Sequence, residues 1–250
     1  MRGYSLLSDS PLAFEEIENM FQTLWSKVGL LVLILGCSGL HVVQAETDAQ
    51  NVAQEVGAVS VSGLEIQLET IKAKWATAKY EAKGDEQAAA FDELINLTDN
   101  LVAQHPNQAT ALLWKGTVLS TYASIKGGSG ALSMVDKARD DLEAALALDD
   151  MVESGLGHAV LGALYYRVPG WPLSFKDNKV AQAHLERALQ INPDSVDANY
   201  YYGDFLAKQK QYDAAKTHLA IVLSTPAKDI YVVGRQTEAQ ATLDKIHHHA

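Results

Sequence analysis

The chain has 250 residues, of which 48% are apolar and 20% charged, so it can bury a sizeable core and is not compositionally disordered. With 31 acidic residues against 20 basic ones, the net charge of −11 excludes nucleic acid as a partner, because phosphate binding needs a basic stripe. Cys37 is the single cysteine, which excludes an internal disulfide framework and a CxxC metal or redox site together.

Residues 1–19 carry Glu15, Glu16 and Glu18, unlike the positive start of an export signal, and read as an extension ahead of a start at Met20. Residues 20–45 read as the export signal itself. Lys27 precedes an apolar run from Val28 to Leu35 that is too short to span a bilayer and suits a signal core. Two processing routes are open. Ile34-Leu35-Gly36-Cys37 resembles a bacterial lipobox and would make Cys37 a lipidated residue, whereas Val43-Gln44-Ala45 offers cleavage after Ala45. Either route sends the chain to the periplasm of a Gram-negative envelope, with membrane attachment only through a lipid on Cys37. Residues 46–63 are short of large apolar side chains and read as a linker.

The folded part is expected over residues 64–246. Leu64, Leu68, Ile71 and Trp75 fall at helical spacing, Gly84-Asp85 interrupts, and Phe91, Leu94, Ile95, Leu97, Leu101 and Val102 resume the pattern as far as His105-Pro106. This is a first helical hairpin. Further on, Ala181, Leu185, Ala188 and Pro193 return 34 positions later as Ala215, Leu219, Val222 and Ala227. A period of that length belongs to helix–turn–helix units that must stack to bury their apolar faces.

The units align through the tetratricopeptide pattern. One carries His158, Leu161-Gly162, Tyr165, Ala181 and Leu185; the next carries Asn199, Tyr202-Gly203, Leu206, Ala215 and Leu219. An earlier unit reads Leu112, Gly116, Leu119, Ala138, Leu142 and Ala145, with a step of 22 residues from Gly116 to Ala138 where Gly203 to Ala215 takes 12. The excess is placed around Ile125 to Gly130, with Gly127-Gly128-Ser129-Gly130 as a flexible turn. Gly and Ala are needed where the helices of a hairpin cross closely. Asp194-Ser195 supplies a cap, Pro226 stops a helix, and Tyr231 to Ile246 reads as a last, solvent-facing helix. The expected fold is therefore all-α: a tetratricopeptide-like solenoid of about four hairpins with a C-terminal capping helix, followed by a tail at residues 247–250.

The segment from Arg167 to Phe175 holds a seven-residue insertion stiffened by Pro169 and Pro172. Trp171 and Phe175 would either form an aromatic wall over the groove or fold back to plug the gap between hairpins. Tyr165-Tyr166-Arg167-Val168-Pro169-Gly170-Trp171-Pro172, then Leu185 to Pro193, then Asp197-Ala198-Asn199-Tyr200-Tyr201-Tyr202-Gly203, resembles the TatT-like family. These are the tetratricopeptide T-components associated with TRAP-type substrate-binding systems. The likeness covers Asn107 to Ile246 and implies an exported, often lipid-anchored helical protein working beside a periplasmic solute-binding partner.

Ligands of such arrays lie against the first helices of successive units. The inward stripe here runs through Leu113, Thr117 and Ser120, then Ala159, Ala163, Tyr166 and Arg167, then Asp197, Tyr200, Asp204 and Lys208. Trp171 would join this groove from the loop. A peptide segment or a small organic acid suits the mix, with Arg167 or Lys208 on a carboxylate and Tyr166 and Tyr200 supplying area; a solvated face without ligand is the alternative. His184 and His218 occupy equivalent positions in different units, too far apart to share a metal. His105 reads as a surface residue, His158 as packed, and His247-His248-His249 as a tail. No catalytic residue, metal site or cofactor is assigned, and the expected activity is non-enzymatic: a protein-binding adaptor or an envelope scaffold recognising peptides. Oligomerisation is left open.

Overall fold

The computed structural model describes residues 63–170 and 172–247, all helix and connecting turn. Cys37, the export signal, the linker, Trp171 and the last three residues lie outside that description. Among the described residues there are nine helices and no strand: α1 (Gly63–Tyr80), α2 (Gly84–Gln104), α3 (Ala109–Lys126), α4 (Gly128–Leu148), α5 (Val152–Arg167), α6 (Asn178–Ile191), α7 (Val196–Lys208), α8 (Tyr212–Ser224) and α9 (Ile230–His247). No helix among them is long and apolar enough to cross a membrane. The first eight pair as consecutive hairpins, α1/α2, α3/α4, α5/α6 and α7/α8.

The same joint recurs in three of these hairpins. A Cβ placed on Gly116 would stand 2.7 Å from Leu142 Cγ and 3.0 Å from the Ala138 carbonyl; on Gly162, 2.8 Å from Leu185 Cγ and 3.1 Å from the Ala181 carbonyl; on Gly203, 2.8 Å from Leu219 Cγ and 3.4 Å from the Ala215 carbonyl. Ala138, Ala181 and Ala215 are fully buried. One glycine lets the backbone of the first helix rest on a Leu and an Ala of the second, and each crossing sits at the depth the repeat demands.

Local signals fix the helix ends. Ser195 caps α7 through the Ala198 amide, Asp177 caps α6 through the amides of Lys179 and Val180, and α8 stops at Ser224 two residues before Pro226. The start of α5 is unusual: Glu153, Ser154 and Gly155 all have positive φ, so regular helix begins only at Leu156. Gly155 needs its missing side chain there, since a Cβ would press on the Ala188 carbonyl and Ile191.

Two expectations are corrected. The excess of the α3/α4 unit is not a flexible turn over Gly127 to Gly130; only Gly127 separates the helices, and the extra residues lengthen both. Gly127 and Gly128, at φ 61 and 72, reverse the chain where a side chain would be strained, so helix resumes at once. Nor is α9 merely a solvent-facing cap. It packs on α7 and α8 and also on α1, where Gly234 meets the Tyr80 ring so closely that a Cβ would lie 2.5 Å from it. The inner helices α1, α3, α5, α7 and α9 thus each touch the next, and α9 touches α1 to close a ring. The curvature of the stack brings its two ends together.

The crossing claim can be measured directly. Gly162→Ala and Gly130→Ala gain similar intrinsic helix propensity, but Gly130 faces open space. Gly162→Ala should be the less stable of the two by about 1 to 3 kcal/mol in urea unfolding. Equal stabilities would contradict the close crossing.

Candidate functional site

The ring is held shut by a buried ion cluster. Arg235 on α9 is 1% exposed. Its Nε donates to Asp197 Oδ1 at 2.8 Å with Nη2 in ion-pair contact with the same oxygen at 2.7 Å, Nη2 donates to the Tyr201 hydroxyl at 2.7 Å, and Nη1 donates to Glu238 at 2.7 Å. Glu238 in turn accepts from Lys79 at 3.0 Å and from the Tyr80 hydroxyl at 3.1 Å, both on α1. One chain of charges therefore runs from α7 through α9 to α1. The guanidinium also lies over the Tyr201 ring, 4.6 Å from its centroid. Burial pushes the Lys79 amine down to about 7, with the Arg235 charge adding to that and Glu238 opposing it. Burial also pushes the Glu238 carboxyl upward, but Arg235 and Lys79 outweigh it and hold the group below its usual range.

A second polar cluster joins α5 to α7. The Tyr166 hydroxyl donates to Asp204 Oδ2 at 2.6 Å, and Arg167 donates through Nη2 to the same oxygen at 2.8 Å and through Nε to the Tyr166 hydroxyl at 3.0 Å. Arg167 Nη2 reaches the Tyr200 hydroxyl at 3.3 Å, and Lys208 meets Asp204 at 3.1 Å. Burial would raise the Asp204 pKa, yet the charges of Arg167 and Lys208 and the Tyr166 hydrogen bond hold it below the ordinary value. Two cations thus share one carboxylate.

Between these clusters lies a cavity of about 300 Å³. Its wall is apolar, from Ala131, Leu132 and Val135 of α4 and Val160, Ala163 and Leu164 of α5; Lys79, Tyr201, Glu238 and Arg167 add polar groups. Exposed lining residues, Ser124, Gly127, Gly128, Arg167 and Pro169, mark its open side.

The structure distributes the residues expected to face a ligand unevenly. Arg167, Ser120 and Ala163 line the cavity. Leu113 is fully buried in the core, and the Thr117 hydroxyl donates to its carbonyl at 2.8 Å. Asp197 is taken up by Arg235, and Tyr166, Tyr200 and Asp204 by the second cluster; Lys208 is half exposed at its edge. Trp171 lies outside the described residues. Phe175 folds back, its ring 5.2 Å from Tyr165 and under the Arg139 guanidinium. Lys79, Tyr201 and Glu238 were not singled out by pattern; Tyr201 stands beside the expected Tyr200, but the other two become neighbours only through ring closure.

The histidines find separate partners. His158 Nδ1 meets His184 Nδ1 at 2.8 Å, and His158 Nε2 meets Asp150, which also pairs with Arg187. In the next unit Asn199 replaces His158, and His218 Nδ1 donates to Asn199 Oδ1 at 2.9 Å. The same position therefore hydrogen-bonds helix to helix in both units. Burial, then the neighbouring His158, lowers the His184 pKa.

Fold and site together define an all-α solenoid of tetratricopeptide-type hairpins curled around a cavity. The tetratricopeptide-repeat family model matches residues 173–234, from the middle of the α5–α6 loop into α9. Repeats of this kind are generally protein-interaction modules without catalytic activity. Among solved structures the chain is similar to the crystal structure of MamA, at 20% identity and a TM-score of 0.40, over 64% of this chain and 89% of that one. No curated protein matches the chain.

Two outcomes follow from the closing cluster. Arg235→Ala leaves Asp197 buried without its counter-charge and should cost about 3 to 5 kcal/mol in chemical unfolding, with a loss no larger than a surface ion pair contradicting the cluster's role. The second outcome concerns pH. Lys79 holds its proton to 10.5 when unfolded but only to about 7 when folded, so the unfolded state binds more protons between those values. Its contribution is fully present above that window and is lost as pH falls through it. The melting temperature of the wild type relative to Lys79→Met should accordingly rise from about pH 6.5 to about pH 9, and a flat difference would refute the shift.

Proposed function

We propose that the protein is a non-enzymatic exported adaptor that binds a partner protein, a solute-binding component of a TRAP-type uptake system, together with a small organic ligand. The observation that carries this reading is the ring of inner helices around a solvent-open cavity with an apolar wall and a cationic side chain at its edge. Such a shape holds a molecule. The TatT-like resemblance across the Tyr-rich α7 and the proline loop supports the partner, and the apolar run ending at Cys37 supports a lipid tether in the periplasm. A scaffold for extended peptides is less favoured, since a peptide needs an open concave face and α9 occupies part of this one.

Sedimentation velocity of the mature chain mixed with the solute-binding protein of a TRAP system from the same organism tests the partner. A stoichiometric complex is expected; two independent boundaries at micromolar concentration would reject the adaptor. Metabolic labelling with a palmitate analogue, lost in Cys37→Ala, tests the tether.

A further inference from the structure

The regular repeat accounts for only part of the cavity wall; its two irregularities complete it. The α3/α4 unit takes 22 residues from Gly116 to Ala138 where the regular unit takes 12, and the added turns supply Gly127, Gly128, Ala131 and Leu132 to the cavity wall. The α5/α6 unit takes 19 from Gly162 to Ala181, and its longer connection supplies Val168 and Pro169. Insertions in two different hairpins converge on one space. Packing alone gives no reason for that, because the α7/α8 unit closes its own crossing without either insertion.

The charges around that space select the sign of an occupant. Glu238 is fully engaged by Lys79, Tyr80 and Arg235, and Lys79 by Glu238. Arg235 and Lys79 together carry no more positive charge than Asp197 and Glu238 cancel, and less once Lys79 loses its proton above about pH 7, so no cation is left over on that side. Arg167 and Lys208, by contrast, share Asp204 alone, leaving one positive charge in excess. Among the described residues Arg167 Nη1 donates to no neighbour, while Nε and Nη2 are held by Tyr166, Tyr200 and Asp204. A guanidinium fixed on one side and free on the other, at the border of an apolar wall, is built to receive a single negative charge. The volume, at the lower end of the roughly 300–1,000 Å³ of small-molecule sites, admits a compact ligand.

We propose that this cavity is a binding site for an amphiphilic monocarboxylate, a small organic acid whose anionic end meets Arg167 and whose apolar body lies against Ala131, Val135, Val160 and Leu164. The proposal deepens the ligand half of the proposed function and rests on that half alone.

Isothermal titration of the full chain, with no partner present, tests it using octanoate as probe and octylamine as its charge-reversed counterpart. Saturable one-to-one binding of octanoate is expected, at least tenfold tighter than octylamine and at least tenfold weakened in Arg167→Gln. Val135→Trp should abolish it by filling the wall, and Ala163→Leu serves where that variant fails to fold. Octanoate and octylamine binding equally, an unaffected Arg167→Gln with a native melting curve, or no saturable octanoate binding would each overturn the proposal. Because no partner enters the titration, failure here leaves the sedimentation test of the adaptor standing.

Discussion

Arg235 is the constraint on which the architecture turns. A guanidinium 1% exposed, held by Asp197 and Tyr201 on α7 and by Glu238 on its own helix, cannot be left without these partners except at severe desolvation cost. Glu238 then reaches Lys79 and Tyr80, so the last helix is tied to the first. Without that link the array would be an open superhelix with two free ends. With it, the inner helices form a ring, and what would be a groove becomes a cavity.

The ring depends in turn on how closely the hairpins cross. Gly116, Gly162 and Gly203 set three equivalent joints against Leu142, Leu185 and Leu219, and stacked units of like build turn the array as they accumulate. Curvature accumulated over the stack brings Gly234 onto the Tyr80 ring. The regular parts of the chain therefore make the enclosure and one side of its wall, and the irregular parts add Gly127, Gly128, Ala131, Leu132, Val168 and Pro169 to it. That division separates what stabilises the protein from what distinguishes it.

Much of the fold was legible in the sequence because the repeat is a local pattern. The Gly–Ala pairs, the Ser195 cap and the stop before Pro226 each depend on residues within one unit, and periodicity exposes them. The candidate site was legible only in part. Arg167 could be placed on an inner face by helical spacing, but Lys79 and Glu238 are 159 positions apart and meet because of curvature summed over four hairpins. The Gly127–Gly128 pair misled for a different reason: glycines at positive φ can reverse a chain in a single step, and composition alone does not separate that from a loose turn. Asp197 was read as facing a ligand since nothing in its own unit reveals Arg235 as its partner.

Ring closure can be observed at one point, the contact of Gly234 with Tyr80. Nuclear Overhauser spectra of the chain with selectively labelled glycine and tyrosine should show strong cross-peaks between the Gly234 α-protons and the Tyr80 ring, with those α-protons shifted by the ring current. Their absence in a folded sample, with Gly234 at ordinary glycine shifts, would mean that α9 stands away from α1 and that the cavity is an open groove.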